Sequence, residues 1–376
     1  MPGNKYVLHR LFIITLLLIV LASPIGHAQA ATMTVIASGL NNPRHLTIGA
    51  DGAIYVAEAG KGGTGPCVNA PEGKLCYGTT GAITKIWTGH QVRIVKGLPS
   101  AANPDGSFAL GPHDVSTTWS AVRVDGHHAL DYFVLVGGSN LRPALGNKGI
   151  NFGRLLKIRP DGVMRSKADL WAYEKRHDPA HDGIDSNPYA LLTLPGRHIV
   201  VDAGGNSLLK IRRSDGRIST LATFPKRMVP GPNGSLVRMD PVPTSVDQGP
   251  DRAYYVGELT GFPFPKYGAR VYKVRYGHEL GIYARRFTNI IDVAWGPDGS
   301  LYVLEMFKNS LANANPQDPS TLQGRLVRIR PDGTRTTVIS DGLYAPGGLA
   351  IAKDGTIYVT NWAILSGKGE VLRIQR

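Results

Sequence analysis

The sequence repeats one short unit six times, and this repeat constrains the fold more than any other feature. In each unit an apolar strand is followed by a tight turn, a second strand, and a third strand with a Lys or Arg between two apolar residues. The second strands are residues 53–58, 131–137, 198–202, 253–258, 301–305 and 357–361. The third strands centre on residues 84–86, 156–158, 209–211, 272–274, 327–329 and 372–374. Apolar and polar residues alternate within them, as half-buried strands require.

Short turns separate the strands, and Asp-Gly is frequent in them, as at Asp51 and Gly52. Both residues tolerate the positive φ angles of hairpin turns. A fourth strand follows the third in five units, and the segment Thr32–Leu40 has the pattern of the fourth strand at residues 336–343. We expect Thr32–Leu40 to pair with Gly369–Gln375, which would cover two open sheet edges. The sequence therefore predicts an all-β fold, a six-bladed β-propeller with four-stranded blades whose last blade is closed by the N-terminal strand.

The first 30 residues have the pattern of a signal peptide. Lys5 and Arg10 precede a mostly apolar run at residues 11–21, and small residues follow up to Ala30. A membrane anchor is the alternative, but a helix that spans a bilayer needs about 20 apolar residues and this run is shorter. We predict cleavage near Ala30 and a secreted or extracytoplasmic protein with one propeller domain over residues 31–376.

Several segments resemble known propeller families. Residues 43–58 and 346–361 resemble NHL repeats, which belong to a six-bladed superfamily that includes gluconolactonase-like proteins. Residues 201–206 (Val-Asp-Ala-Gly-Gly-Asn), 257–265 and 111–114 (Gly-Pro-His-Asp) are similar to the ScyD/ScyE family of secreted propellers. This resemblance implies a secreted propeller. It does not imply an established reaction or a recognised set of catalytic residues.

Long loops are expected on one face of the propeller only. Antiparallel strands place the loops between second and third strands on the same face as the connections between blades. The longest irregular segments all fall there: residues 60–81, 140–151, 259–268 and 307–323 within blades, and 98–112, 170–186 and 225–243 between blades. Because binding residues concentrate on loops held by a rigid scaffold, we expect function on this loop-rich face.

Second strands end on that face in oxygen-bearing residues, namely Glu58, Asp202, Glu258, Glu305 and Asn361. A ring of oxygens could hold a divalent cation such as calcium, which takes six to eight oxygen ligands. The acids are metal candidates, and Asn361 is a ligand-binding candidate. The alternative is that the repeat uses an acid at this place to accept hydrogen bonds from backbone N–H groups. Gluconolactonase-like propellers take a metal from Glu, Asn and Asp on inner strands. Here Asp292 lies one strand alternation inward from Asn289, but no pattern in the sequence matches all positions of that site.

First strands bring Arg44, His45, His113 and Asp114 to the same mouth of the channel. Asn206 lies in the loop that follows the second strand of the third repeat unit. These five residues are ligand-binding candidates. His45 and the pair His113–Asp114 could act as acid–base groups because imidazole titrates near neutral pH, or they could be hydrogen-bonded structural groups.

Two further clusters are weaker signals. His177, Asp178, His181 and Asp182 have a spacing that could suit a metal, but they follow a predicted surface helix at residues 167–176 and read more simply as a solvated linker. The glycine-rich run at residues 60–65 lacks the Lys-Ser/Thr of a phosphate-binding loop, and we interpret it as a flexible loop.

The chain has 42 Lys and Arg against 28 Asp and Glu, a formal net charge of +14. Twelve of these basic residues belong to the third strands or their ends, so the repeat distributes them as a belt. Aromatic residues are not interleaved with them as nucleic-acid stacking requires. We expect no nucleic-acid partner, attraction to anionic cell-surface polymers, and a monomer.

The two cysteines, Cys67 and Cys76, lie in one loop and are predicted to form a disulfide in an oxidising compartment. Two functional classes remain open. The first is a binding or accessory protein that uses the loop-rich face, with an unknown protein or small-molecule ligand. The alternative is a metal-assisted hydrolase or lactonase acting on a small molecule, and a quinone-dependent sugar dehydrogenase is a more distant third.

Overall fold

The computed structural model divides the chain into two units, Met1–Ala30 and Ala31–Arg376. It describes residues 32–70 and 73–375, together with Met1 and Gly3. The predicted signal peptide lies outside the described residues. Among the residues that are described, no helix has the length and apolar content needed to cross a bilayer.

The described part of the second unit contains six sheets of four or five antiparallel strands and one separate two-stranded hairpin. The first strand is β1 (Thr32–Leu40), and sheet 1 follows it with β2 (Pro43–Ile48), β3 (Ile54–Glu58), β4 (Cys67–Ala70), β5 (Gly73–Trp87) and β6 (His90–Ala102). Sheet 2 consists of β7 (Pro112–Val124), β8 (His127–Val136), β9 (Arg154–Ile158) and β10 (Met164–Asp169). Sheet 3 consists of β11 (Pro188–Leu194), β12 (Arg197–Asp202), β13 (Ser207–Arg212) and β14 (Ile218–Thr223).

The hairpin is β15 (Arg227–Pro230) with β16 (Leu236–Met239). Sheet 4 consists of β17 (Pro243–Gln248), β18 (Tyr254–Glu258), β19 (Ala269–Val274) and β20 (Gly281–Phe287). Sheet 5 consists of β21 (Ile290–Trp295), β22 (Leu301–Glu305), β23 (Arg325–Ile329) and β24 (Arg335–Ile339). Sheet 6 consists of β25 (Gly348–Ile351), β26 (Ile357–Asn361), β27 (Gly369–Gln375) and the N-terminal strand β1.

Within residues 32–70 and 73–375, helices are few and short. The α-helices are α1 (Arg142–Leu145) and α2 (Leu170–His177), and the 3-10 turns are Ser139–Leu141, Gly146–Gly149, Leu311–Asn313 and Pro319–Leu322. The helix predicted at residues 167–176 corresponds to α2, which begins later because Asp169 caps it. The Asp169 side chain accepts a hydrogen bond from the backbone N–H of Ala172 at 3.0 Å.

Strand β1 pairs with β27, as the repeat predicted. Thr32 lies opposite Gln375 at one end and Leu40 opposite Gly369 at the other. Leu40 and Ala37 are buried in a cluster with residues of sheet 1. The first strands of successive sheets contact one another in the order β2, β7, β11, β17, β21, β25, and β25 also contacts β2.

Three of the described tight turns that join first to second strands share a stabilising contact between the turn aspartate and a tyrosine of the second strand. At the first of them, the Asp51 carboxylate accepts hydrogen bonds from the Tyr55 hydroxyl at 2.8 Å and from Lys85 Nζ at 2.8 Å. Gly52 provides a positive φ of 79° in this turn. Asp251 with Tyr255, and Asp298 with Tyr302, repeat the same arrangement.

Residues 60–81 are not the long irregular segment that the sequence predicted. Most of them form β4 and the extended start of β5, and Cys67 lies opposite Cys76 in this hairpin. The glycine-rich run packs against β5, so that a Cβ at Gly62 would lie 2.5 Å from the carbonyl oxygen of Cys76. Glycine is therefore required there by close backbone approach rather than by flexibility.

Candidate functional site

A channel lined by the first strands holds His45 between two carboxylates. His45 Nδ1 lies 3.7 Å from Asp114 Oδ2 and 3.5 Å from Asp292 Oδ2. All three side chains are buried. They line a cavity of about 250 Å³ together with Asp247. The structure therefore brings two of the predicted candidates, His45 and Asp114, to one place.

Each channel aspartate also joins two neighbouring first strands. Asp114 on β7 accepts the backbone N–H of Leu191 on β11 at 2.6 Å, and Asp292 on β21 accepts that of Leu349 on β25 at 2.7 Å. Asp247 on β17 accepts the N–H of Trp295 on β21 at 2.8 Å. These bonds fix the carboxylates and connect sheet to sheet.

Asp247 is a channel residue that was not predicted from the sequence. Its signal was an acidic residue within a first strand, between Val246 and Gln248. The same signal marks Asp114 and Asp292, so the three could have been found together.

Burial controls protonation in the channel. It lowers the pKa of His45 to about 3, helped by the positive charge of Arg44. The pKa of His113 is also lowered to about 3, again mainly by burial. Burial raises the pKa of Asp114 and Asp292 well above the ordinary value, although backbone N–H donors oppose this rise. Both imidazoles are therefore neutral near pH 7, which differs from the near-neutral titration that their proposed acid–base role assumed.

The Tyr189 ring packs against both histidines. Tyr189 is a second channel residue that was not predicted from the sequence. Its ring centroid lies 5.4 Å from that of His45 and 4.7 Å from that of His113. His113 Nδ1 lies 3.0 Å from the carbonyl oxygen of Pro188, whereas the Nε2 atoms of His45 and His113 are buried with no hydrogen-bond partner among the described residues. Arg44 donates from Nη2 to the carbonyl oxygen of Ala109 at 2.6 Å.

The four predicted metal carboxylates do not converge. Glu58, Glu258 and Glu305 each form an ion pair with a separate arginine, and Asp202 is held by Ser186. Among the described residues, no group of three or more His, Cys, Asp or Glu side chains is arranged to hold a metal ion.

Three of these carboxylates and Asn361 accept hydrogen bonds from backbone N–H groups of the segments that lead into first strands. The bonds are Asn41 N to Glu58 Oε2 at 2.7 Å, Asn187 N to Asp202 Oδ1 at 2.6 Å, Thr288 N to Glu305 Oε1 at 2.7 Å and Tyr344 N to Asn361 Oδ1 at 2.6 Å. This is the backbone role that the sequence left open as the alternative to a metal. A buried acceptor at the end of the second strand fixes the entry of the chain into the sheet.

The cluster at residues 177–182 is also spread apart. The Asp178 carboxylate accepts backbone N–H groups of Asp182 and Gly183, and Asp182 forms an ion pair with Lys226 at 3.3 Å. The ring of His177 packs on Tyr173, with centroids 4.4 Å apart. These contacts support the linker interpretation.

The loop-rich face carries a separate pocket of about 650 Å³, which we call the loop-face pocket. Its lining includes Ile184, Asp185, Asn206, Lys226 and Phe264. Asn206, a predicted binding candidate, is buried and donates from Nδ2 to Asp182 and Asp240, at 3.0 Å each. Asn206 therefore organises the wall of the pocket.

A buried acid lies behind this wall. Glu174 on α2 is 1% exposed, and a Cβ at Gly205 would lie 2.9 Å from its Oε2 atom. Burial, followed by the negative charges of Asp202, Asp178 and Asp182, raises the pKa of Glu174 to about 8.

No family model matches the chain, and no curated protein sequence matches it. Solved structures do. A protein described as a putative gluconolactonase is 12% identical, with 92% of each chain covered and a TM-score of 0.51. A protein of unknown function from Bacteroides thetaiotaomicron is 10% identical, with 92% of this chain and 76% of that chain covered and a TM-score of 0.50. At such low identity these likenesses show the fold alone, and that fold is a β-propeller.

Proposed function

We propose that the protein is a binding or accessory protein that takes a small, hydroxyl-rich ligand into the loop-face pocket. The observation that carries this proposal is the pocket itself, a cavity of about 650 Å³ on the face where the long loops meet. Ligand sites are concave and combine apolar walls with a few fixed polar groups, and this pocket has both.

The chemistry of the lining favours a polar but uncharged ligand. Lys226 Nζ lies 2.9 Å from Asp240 Oδ1 and 3.3 Å from Asp182 Oδ2, so the central cation is already neutralised. Asp185 is exposed and accepts a hydrogen bond from Asn140, with carboxylate oxygen free for a further donor. Ile184, 53% exposed, offers an apolar surface beside these groups. Hydroxyl groups on a carbon ring fit such a mixture.

The finer architecture is part of the same proposal. We infer six blades in a ring whose last blade is completed by β1. The pairing of β1 with β27 and the contact of β25 with β2 support this closure. The motifs at residues 111–114, 201–206 and 257–265 favour a ScyD/ScyE-like propeller within the NHL and gluconolactonase-like superfamily.

We further propose that the protein is exported after cleavage near Ala30 and acts as a monomer without a nucleic-acid partner. The disulfide between Cys67 and Cys76 supports an oxidising, extracytoplasmic compartment. The positive net charge favours contact with an anionic cell-surface polymer.

The test is a binding screen against neutral mono- and oligosaccharides, followed by calorimetry on any hit. Replacing Asp185 by Ala should weaken binding about ten-fold, since a hydrogen bond to a charged group is worth roughly 1.5–3 kcal/mol. Phe264→Ala should also weaken it, and Asp215→Asn, on the opposite face, is the matched control. If a ligand binds both pocket variants with unchanged affinity, it binds elsewhere and the proposal is refuted.

The alternative is metal-assisted hydrolysis. The feature that favours it is His45, whose Nδ1 lies beside Asp114 and Asp292 and whose buried Nε2 has no hydrogen-bond partner among the described residues. Against it, the carboxylates of Glu58, Glu258 and Glu305 are engaged by arginines. Elemental analysis of the purified mature protein decides between the two functions: a stoichiometric divalent cation, lost on His45→Ala, would favour the enzyme.

A further inference from the structure

An ion pair recurs on the tight-turn face, opposite the loops. In four sheets the basic residue at the centre of the third strand pairs with an aspartate, which lies in the first hairpin turn in three of them and on the second strand in sheet 2. The pairs are Lys85–Asp51 at 2.8 Å, Lys157–Asp131 at 2.6 Å, Lys273–Asp251 at 2.6 Å, and Arg328–Asp298. The repeat itself therefore neutralises part of the predicted basic belt. In sheet 6 the equivalent Arg373 forms no such pair in the part of the chain that is described, and its Nε is buried.

Sheet 3 lacks the acid. Lys210 lies opposite Ile199, whereas Lys85 lies opposite Tyr55 in sheet 1. The hairpin between β11 and β12 has only Pro195 and Gly196 between its paired residues, so no turn aspartate is present. Within the described residues, the Lys210 side chain forms no hydrogen bond and no ion pair.

Lys210 instead lines a pocket of about 690 Å³ between sheets 3 and 4, which we call the cationic pocket. Arg197, Arg252 and His278 line it as well. None of these four basic side chains forms an ion pair among the residues described by the structure. The acid in the lining is Asp251, which Lys273 and Arg275 already hold at 2.6 Å each. The pocket therefore has an excess of positive charge.

Two tyrosines, Tyr254 and Tyr276, also line this pocket. Arg197 donates from Nε to the Tyr254 hydroxyl at 3.1 Å, which fixes the guanidinium at the pocket wall. Tyr276 is 89% exposed. Guanidinium and ammonium groups at one place match the oxygens of a phosphate group.

We propose that the cationic pocket binds a phosphate group, either free or carried on an anionic polymer. This site lies on the opposite face from the loop-face pocket and does not depend on the proposed function. It also gives the attraction to anionic polymers a specific place, in sheets 3 and 4, rather than the even belt that the sequence indicated.

The experiment is calorimetric titration of the full chain with inorganic phosphate and, separately, with a polyphosphate chain at low salt. Lys210→Gln and Arg197→Gln should each weaken binding about ten-fold, as expected for losing one charge-assisted hydrogen bond. Lys85→Gln is the matched control, because it removes the same charge from the same strand position where Asp51 is present. It should leave the affinity unchanged.

The two titrants separate the sources of the phosphate. Binding of inorganic phosphate that depends on Lys210 supports a site for a single phosphate group. Binding of polyphosphate alone, again dependent on Lys210, supports a polymer. The proposal is overturned if neither titrant binds, or if Lys85→Gln weakens binding as much as Lys210→Gln. Asp185→Ala, in the loop-face pocket, should not change either titration, so the two sites can fail independently.

Discussion

Arg227 donates two hydrogen bonds to Glu258, with Nη1 2.7 Å from Oε2 and Nη2 2.6 Å from Oε1. The Glu258 side chain is fully buried, and that of Arg227 is 12% exposed. Arginines reach the equivalent carboxylates of sheets 1 and 5 from different strands, Arg93 on β6 and Arg325 on β23. The repeat therefore fixes the acid, whereas its partner differs from sheet to sheet.

Replacing Glu258 by Gln should destabilise the protein by about 3 kcal/mol, because it leaves Arg227 partly buried without its counter-ion. Urea unfolding measures this loss. The double variant Glu258→Gln with Arg227→Met should recover part of it, and Asp215→Asn, in the exposed pair with Arg212, should change little. Unchanged stability of Glu258→Gln would contradict a structural role for the pair.

Leu40 tests the pairing of β1 with β27. Its side chain is fully buried, so Leu40→Ala should cost about 3 kcal/mol through lost transfer energy and the cavity left behind. Val35, in the same strand but 51% exposed, gives the control Val35→Ala, with a much smaller effect. Deleting residues 32–40 should expose the edge of β27 and lower the melting temperature sharply or cause aggregation. A normal melt after that deletion would rule out closure by β1.

Glu174 should make stability fall as pH rises. Its pKa is raised from 4.5 to about 8 in the folded protein, so between these values the folded state holds a proton that the unfolded state has lost. Stability conferred by this proton is complete below pH 4.5 and is lost as pH rises through 8. Glu174→Gln should therefore raise the melting temperature at pH 9 more than at pH 5. Thermal denaturation across this range provides the measurement, with exposed Glu279→Gln as control; parallel pH profiles for Glu174→Gln and the unmodified chain would disprove the shift.

The disulfide between Cys67 and Cys76 should stabilise its hairpin rather than the whole propeller. Closing so short a loop is worth roughly 2–3 kcal/mol in the chain-entropy model. The double variant Cys67→Ser with Cys76→Ser should become sensitive to protease within residues 61–81 and should melt almost as before. Mass spectrometry of the non-reduced protein should find no free thiol. Two free thiols would refute the bridge.

The sequence was informative about the strands because the repeat fixes them. The predicted second strand at residues 357–361 is β26, and the pairing of Cys67 with Cys76 is confirmed. The hairpin of β4 and β5 was harder to predict, because the glycine run at residues 60–65 just before it has the pattern of a loop. Its close packing on β5 depends on neighbouring backbone that the local sequence does not indicate.

The site was less predictable than the strands. The oxygens of Glu58, Glu258 and Glu305 could be placed on one face, but their arginine partners come from different strands and have no common sequence position. The channel contact between His45 and Asp292 joins residues from sheets 1 and 5, which only the completed fold brings together. Asp247 could have been predicted because it is an acidic residue within a first strand, whereas no sequence feature marked Tyr189.

The register of β1 on β27 has a topological consequence. Because Thr32 lies opposite Gln375, the two ends of the described domain are neighbours. A short peptide that joined them would allow the chain to be reopened at another tight turn, such as the one at Gly299, with every strand pair retained. The composite sheet would then be sheet 5 rather than sheet 6. The linear order of the repeats is thus one of several circular permutations that specify the same set of strand pairs.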